Sequence, residues 1–287
     1  MTTSIADAIL RGAEVLRKAG VPEARREAAS LLSHVLGKDR TFLISHAEDL
    51  IADGQMNEFR ECVERRAQGE PIQYITGSQD FFGLEFKVTP DVLIPRPETE
   101  LLVEIALKLI DDEDTDLQIC DVGTGSGCIA ITLLRQRPLA HSIALDVSEA
   151  AIRIAKENAS RHSVNDRISF VVSDCFQSLA EVPPFDLIVS NPPYVSAEAL
   201  DGLQREVRDH EPRVALSPGL DGLSVIRRLL QEAADFLKSD GYLLIEIGFD
   251  QAAAVEGLID ADVWRLLEIY PDLQGIHRIV ALQKIHP

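Results

Sequence analysis

The sequence predicts an α/β protein: an open, largely parallel sheet covered by helices on both faces, preceded by a small helical bundle and a β-hairpin. Three observations carry this. From Ser4 to about Gln68, apolar residues recur at helical spacing, as in Ile5, Ile9 and Leu16 and again in Ala28, Leu31, Leu32, Val35 and Leu36. Residues 72–94 then mix Tyr74, Phe81, Phe82, Phe86 and Val88 with Gly77 and Gly83, the composition of hairpin strands. Beyond Pro95, short apolar runs alternate with amphipathic stretches, as in strand–helix–strand units.

Taken in order, the helical region breaks at Gly20-Val21-Pro22, Gly37 and Asp53-Gly54, so four or so helices are expected before Gly69-Glu70-Pro71 ends it. Strands are expected near 117–122, 142–145, 168–172, 186–189 and 242–247. Residues 264–269 and 278–283 have no helical stretch between them and should pair as an antiparallel edge hairpin. The expected organisation is a helical domain over 1–70, a hairpin linker over 71–95 and the sheet domain over 96–287. With 287 residues, 46% of them hydrophobic and 26% charged, the chain can bury two cores of unequal size.

Composition excludes several functions. Residues 1–10 carry Asp7 and lack a basic start followed by an apolar stretch, so no signal peptide is expected. No uncharged apolar run approaches the roughly 18 residues of a membrane helix, and a cytoplasmic protein is expected. The four cysteines form no Cys-x-x-Cys pair and the seven histidines no His-Glu-x-x-His, so neither disulfides nor a metal site is expected. Net charge is −19 and the pI near 4.7, which disfavours tracking a phosphate backbone. The acidity is uneven. Residues 1–70 hold 10 Lys and Arg against 12 Asp and Glu; residues 71–287 hold 18 against 35.

Two motifs carry chemistry. Asp121-Val-Gly-Thr-Gly-Ser-Gly127 stands where a strand turns into a helix. A dinucleotide loop of the form G-x-G-x-x-G/A would need Gly or Ala where Cys128 stands, and a P-loop would need Gly-Lys-Ser/Thr. The spacing over Gly123, Thr124, Gly125, Ser126 and Gly127, with an acid before it, suits S-adenosylmethionine instead, whose charge is a cationic sulfonium and amino group. Asp146, 23 residues beyond Gly123, ends the next strand, where a carboxylate can take both ribose hydroxyls. Asp174-Cys175 follows the third strand and is placed to flank the adenine. The plainer alternative makes the loop a tight turn and Asp146 a helix cap.

The second motif, Asn191-Pro192-Pro193-Tyr194, directly follows a strand. The prolines remove N–H donors and leave carbonyls as acceptors. Asn191 Oδ1 and the Pro192 carbonyl can then accept both hydrogens of one NH2 group while Tyr194 stacks on its flat π system. Such a grip aims a poorly nucleophilic nitrogen and stabilises the charge that develops on it, with no strong base.

Together these residues resemble the release factor glutamine methyltransferases, the HemK/PrmC family. The likeness runs through Gly69-Glu-Pro-Ile-Gln-Tyr74, Leu93-Ile-Pro-Arg-Pro-Glu-Thr-Glu100, Asp121 to Gly127, Asn191 to Tyr194, Glu211-Pro-Arg213, Gly219-Leu-Asp-Gly222, Glu246-Ile-Gly248 with Gln251, and Asp272 to Arg278. The resemblance implies a seven-stranded Rossmann-like class I methyltransferase domain behind a substrate-docking helical domain. It implies methylation of the glutamine in a Gly-Gly-Gln motif of peptide chain release factors, with cofactor contacts at Gly123 to Gly127, Asp146, Cys175 and Asn191 and the substrate glutamine at Asn191 to Tyr194. Some relatives have an aromatic beside the adenine where this chain has Cys175. Arg96 and Glu98 either hold a loop over the site or form a surface ion pair. A monomer without nucleic-acid or membrane partners is expected. An N6-adenine nucleic-acid methyltransferase shares the Asn-Pro-Pro-Tyr grip and is the main rival; the acidic balance and the lack of a basic, aromatic-studded stretch weigh against it.

Overall fold

A computed structural model describes residues 3–110, 115–180 and 182–285. The chain divides into two compact units, Met1–Ser78 with Gln204–His210, and Gln79–Leu203 with Glu211–Pro287.

In the first unit, β1 (Thr3–Ser4) leads into α1 (Ile5–Lys18), capped by the Ser4 hydroxyl accepting the Asp7 N–H at 3.2 Å. α2 (Ala24–Leu36) ends on Gly37 in the left-handed conformation, and α3 (Arg40–Ser45) starts behind Asp39, whose carboxylate accepts the Phe42 N–H at 2.8 Å. The expected break at Asp53-Gly54 is displaced. Both residues lie in the first turn of α4 (Asp53–Ala67), where an acid suits the positive helix end, and the chain turns earlier, at β2 (Leu50–Ile51), which pairs with β1. Ile72 to Thr76, expected in the hairpin, instead form a short helix, α5 (Ile72–Thr76), between Pro71 and a left-handed Gly77. Its Ile75 joins Leu16, Leu31, Leu32 and Phe59 in the bundle core.

A buried cation sits in this unit. Arg66, 3% exposed, pairs with Glu27, donates from Nη2 to Glu206 Oε1 at 2.7 Å and from Nη1 to the Glu70 carbonyl at 3.2 Å. Glu206 lies on the short helix Arg205–His210, so a distant stretch of sequence completes the bundle.

The second unit opens with the hairpin β3 (Ser78–Phe81) and β4 (Leu84–Lys87), followed by α6 (Glu100–Leu109). The seven-stranded sheet comprises β5 (Gln118–Val122), β6 (His141–Asp146), β7 (Ile168–Val172), β8 (Phe185–Ser190), β9 (Leu237–Glu246), β10 (Trp264–Pro271) and β11 (His277–Lys284), in spatial order β10-β11-β9-β8-β5-β6-β7. β5 to β9 run parallel. β11 is antiparallel to both β9 and β10, which places the expected hairpin at one edge.

Alternation along each strand separates two cores. Ile119, Leu187, Val189 and Leu244 face α6, α7 (Cys128–Gln136) and α8 (Glu149–Arg161); Cys120, Ile188, Leu243 and Ile245 face the helix Ser224–Glu232. Phe81 and Phe86 of the hairpin pack into the first of these cores. Strands buried on both faces explain why they read as continuous apolar runs.

Arg66→Met should lower the unfolding free energy of the bundle by about 1.5 to 3 kcal/mol, the scale of hydrogen bonds to charged groups. Because Arg66 is buried, the loss should persist in roughly 1 M salt, where exposed pairs are screened. Scanning calorimetry of both proteins at low and high salt reads it, and an unchanged bundle transition would contradict it.

Candidate active site

Strand order reverses at β5: β6 and β7 lie to one side, β8 and β9 to the other. The loops leaving β5 and β8 therefore diverge above the sheet, where open α/β sheets form their binding crevice. Val122 and Ser190, the last residues of these two strands, are register partners, so Gly123 and Asn191 leave the sheet side by side. A crevice of about 280 Å³ opens there, within the second unit.

The glycine loop is held from below. The Gly123 and Thr124 N–H groups both donate to the Leu145 carbonyl at 2.8 Å, and the Gly125 N–H donates to Asp146 Oδ2 at 2.9 Å. These donors are used internally, which is the opposite of a loop that cradles phosphate. Gly123, Thr124, Gly125 and Ser126 line the crevice; Gly127 does not. With φ at +83°, a Cβ on Gly127 would stand 2.8 Å from Ile131 Cδ1 and 3.3 Å from Ala155 Cβ, so this glycine serves the close approach of α7 and α8.

Asp91, Asp146 and Asp174 line the crevice, and Asp121 lies below it. Asp146 lines it, and besides Gly125 it accepts the Ser148 N–H at 2.9 Å through Oδ1, so it is both loop anchor and helix-start ligand. Each oxygen keeps a second lone pair for a further donor. Burial raises its pKa in spite of those bonds. Asp121 lies beneath the loop, fully buried; Oδ2 accepts from the Thr124 hydroxyl at 2.7 Å and the Ala130 N–H at 3.3 Å, while Oδ1 has no hydrogen-bond partner among the described residues. Burial pushes its pKa up to about 7. Asp174 pairs with Arg228 at 2.7 Å, and Cys175 lines the crevice with its thiol pushed up to about 11 by burial, a neutral wall rather than a nucleophile.

Asn191, Pro192 and Pro193 line the opposite wall. The Asn191 Nδ2 donates to Thr99 Oγ1 at 3.1 Å. Tyr194 lies outside the lining: its hydroxyl acts on the buried carboxylate of Glu246, at the end of β9, and burial raises its pKa. Its backbone is fixed by Gln251, whose Nε2 donates to the Tyr194 carbonyl at 3.0 Å and to the Gly222 carbonyl at 3.3 Å. A Cβ on Gly222 would lie 2.3 Å from that Tyr194 oxygen, which excludes any larger residue. Arg96 pairs with the buried Glu211, which also accepts the Ile94 N–H at 3.3 Å, so Arg96 belongs to a built contact and not to a loose surface pair. Among the described residues Glu98 makes no comparable bond.

Residues that sequence reasoning passed over hold this frame. Asn158, fully buried on α8, donates to the Ser126 carbonyl at 2.8 Å and exchanges hydrogen bonds with the backbone of Lys87, tying the hairpin to the glycine loop. Thr99 lies within the Leu93 to Glu100 segment, whose sequence carries no sign of its contact with Asn191. A polar residue on the apolar stripe of a helix was the available signal for Asn158.

Known proteins place this frame in context. Residues 7–77 match the PrmC N-terminal domain family and residues 98–208 the methyltransferase small domain family. The release factor glutamine methyltransferase of Cereibacter sphaeroides is 42% identical over 276 residues, 96% of this chain and 97% of that protein. That of Koribacter versatilis is 42% identical over 270 residues, 94% of each. The T. thermophilus 16S rRNA N2 G1207 methyltransferase, solved with AdoMet and guanosine, shares the fold at 18% identity and a TM-score of 0.52, over 72% of this chain and 49% of that one. Identity of this order along nearly the whole length of both chains makes the conclusion direct: the chain belongs to the release factor glutamine methyltransferase family.

Proposed function

We propose that this protein transfers the methyl group of S-adenosylmethionine to the side-chain amide nitrogen, N5, of the glutamine in the Gly-Gly-Gln motif of peptide chain release factors, and so modulates translation termination. The observation that supports this reading is the side-by-side exit of the glycine loop and the Asn191 loop from β5 and β8, which puts the glycine loop and the Asn-Pro-Pro segment on one crevice.

The residues present fit that cofactor. Burial raises the pKa values of Asp121 and Asp146, and among the described residues Asp121 keeps an oxygen without a hydrogen-bond partner. A positively charged ligand relieves both. S-adenosylmethionine, when bound, supplies an electrophilic methyl group on a sulfonium. Asp146 accepts the ribose hydroxyls, the backbone from Gly123 to Gly127 shapes the wall, and Cys175 and Asn191 complete it.

Asn191 Oδ1 and the Pro192 carbonyl accept the two hydrogens of the substrate amide, with Pro193 fixing the path of the backbone. The nitrogen is thereby aimed, and positive charge developing on it meets acceptors already in place. Orientation of this kind contributes on the order of 7 to 11 kcal/mol in favourable cases. Tyr194 holds the far end of the loop through its hydroxyl and carbonyl, a role added to the stacking its position in the motif implies. The partners are release factors, docked through the helical bundle, with the enzyme acting as a cytoplasmic monomer and without direct nucleic-acid contact. Among the described residues no helix is long and apolar enough to cross a membrane.

Incubating the protein with methyl-labelled cofactor and either a release factor or duplex DNA decides between this reading and adenine N6 methylation: label should enter the release factor and be absent from its Gln→Ala variant at the Gly-Gly-Gln motif. Label in DNA alone would reverse the assignment. Asn191→Ala should lower turnover by about 2.7 to 4 kcal/mol while leaving cofactor affinity nearly intact. Asp146→Ala should do the converse, weakening cofactor binding by roughly 1.5 to 3 kcal/mol. Calorimetric titration with S-adenosylmethionine beside a methyl-transfer assay separates the two, and unchanged affinity in Asp146→Ala would reduce Asp146 to a loop anchor.

A further inference from the structure

The segment Ile-Pro-Arg-Pro-Glu-Thr-Glu, residues 94–100, gives several of its polar groups a specific partner. The Ile94 N–H and Arg96 go to Glu211, and Glu100 Oε1 accepts the Phe82 N–H at 2.7 Å. Thr99 reaches the Asn191 loop instead. It is buried, lines the crevice and accepts from Asn191 Nδ2 at 3.1 Å, and its hydroxyl favours the ionised form of Glu246, as a donor to that carboxylate does. Glu246 is 1% exposed, also receives the Tyr194 hydroxyl, and keeps Oε2 without a partner among the described residues.

We propose that Thr99, backed by Glu246, is a positioning residue that locks the Asn191 side-chain amide with Nδ2 turned onto Thr99 and Oδ1 presented to the substrate, so that the site selects a nitrogen bearing hydrogens. This rests on the methyl-transfer reading above. The two ends of an asparagine amide are nearly identical in shape, so packing does not choose between them. A hydroxyl does not choose either, because it can donate to Oδ1 or accept from Nδ2. An ionised carboxylate does choose. It only accepts, so it takes the single Thr99 proton and leaves Thr99 an acceptor toward Asn191. The opposite orientation of Asn191 would set its NH2 against the substrate NH2, donor against donor.

The lock therefore depends on the charge of Glu246. Burial pushes its pKa up to about 7; the Thr99 and Tyr194 hydroxyls and Arg278 pull it down, and Glu98 pushes it up. Cys128, also near, has a thiol pushed to about 12 and stays neutral, whereas Asp121 beyond it titrates near 7 as well. The folded-state value lies above the ordinary carboxylate value, so the ionised form that maintains the lock is present above about pH 7 and is lost as pH falls through it. Once protonated, Glu246 becomes a donor, Thr99 is released to donate to Oδ1, and the amide turns over.

Two measurements test this, one of them without substrate. In the nuclear magnetic resonance spectrum of the full-length protein, the Asn191 side-chain NH2 should show a contact to the Thr99 methyl group and slowed hydrogen exchange at pH about 8, and lose both below pH about 6; this readout is local and blind to Asp121. In Thr99→Val, which keeps the shape and removes the hydroxyl, the slowed exchange should be gone at either pH, and in Thr99→Ser it should return. Turnover on an intact release factor should fall roughly tenfold to a hundredfold in Thr99→Val, with KM for S-adenosylmethionine within about twofold, and Thr99→Ser should restore most of it. Wild-type turnover in a folded Thr99→Val protein, or an Asn191 amide that never contacts Thr99, overturns the lock. If the contact is present but the wild-type protein leaves release factor unlabelled, the lock stands and the substrate assignment fails.

Discussion

The register between β5 and β8 governs everything above the sheet. Val122 opposite Ser190 is tightened by the Ser190 hydroxyl, which donates to the Val122 carbonyl at 2.7 Å. A slip of one residue would turn Asp121 to the opposite face, since side chains alternate with period two. It would also part Gly123 from Asn191, and with them the two walls of the crevice. The cores on the two faces hold that register, because Ile119 and Leu187 belong to one and Cys120 and Ile188 to the other.

The electrostatics of the crevice follow from what the sheet edge collects. Parallel strands deliver their carboxyl ends to one side, and Asp121, Asp146 and Glu246 are all terminal residues of strands or next to them. Asp121 and Glu246 are buried and Asp146 is half-buried, and each is driven toward its neutral form by desolvation. An enzyme whose ligand is a cation gains from such a field. One whose ligand is a polyphosphate would be defeated by it, consistent with loop N–H groups spent on Leu145 and Asp146.

Much of this was legible in the chain. The glycine loop, Asp146 and Asn191 stand out because close backbone approach, strand ends and proline-fixed carbonyls each demand particular residues at short spacing. Local signals misled where two meanings share one residue pair: Asp53-Gly54 reads as a turn but serves equally as a helix start, and Tyr74 looks like a strand aromatic but lies on α5. Gly127 reads as a ligand contact, and the close approach of α7 and α8 gives it a packing role that no spacing encodes. The contacts made by Asn158, Thr99 and Gln251 were illegible for a different reason. Their partners Lys87, Asn191 and Tyr194 lie far off in sequence, and no periodicity encodes a contact across such a separation.

Gln204–His210 closes the helical bundle although it is encoded far beyond it. Arg66 makes one bond to a residue 39 positions away and another to a residue 140 positions away. During synthesis Arg66 and Glu27 are made well ahead of Glu206, and until it follows Arg66 lacks one of its two carboxylate partners. The bundle is thus finished only after strands β5 to β8 have been made.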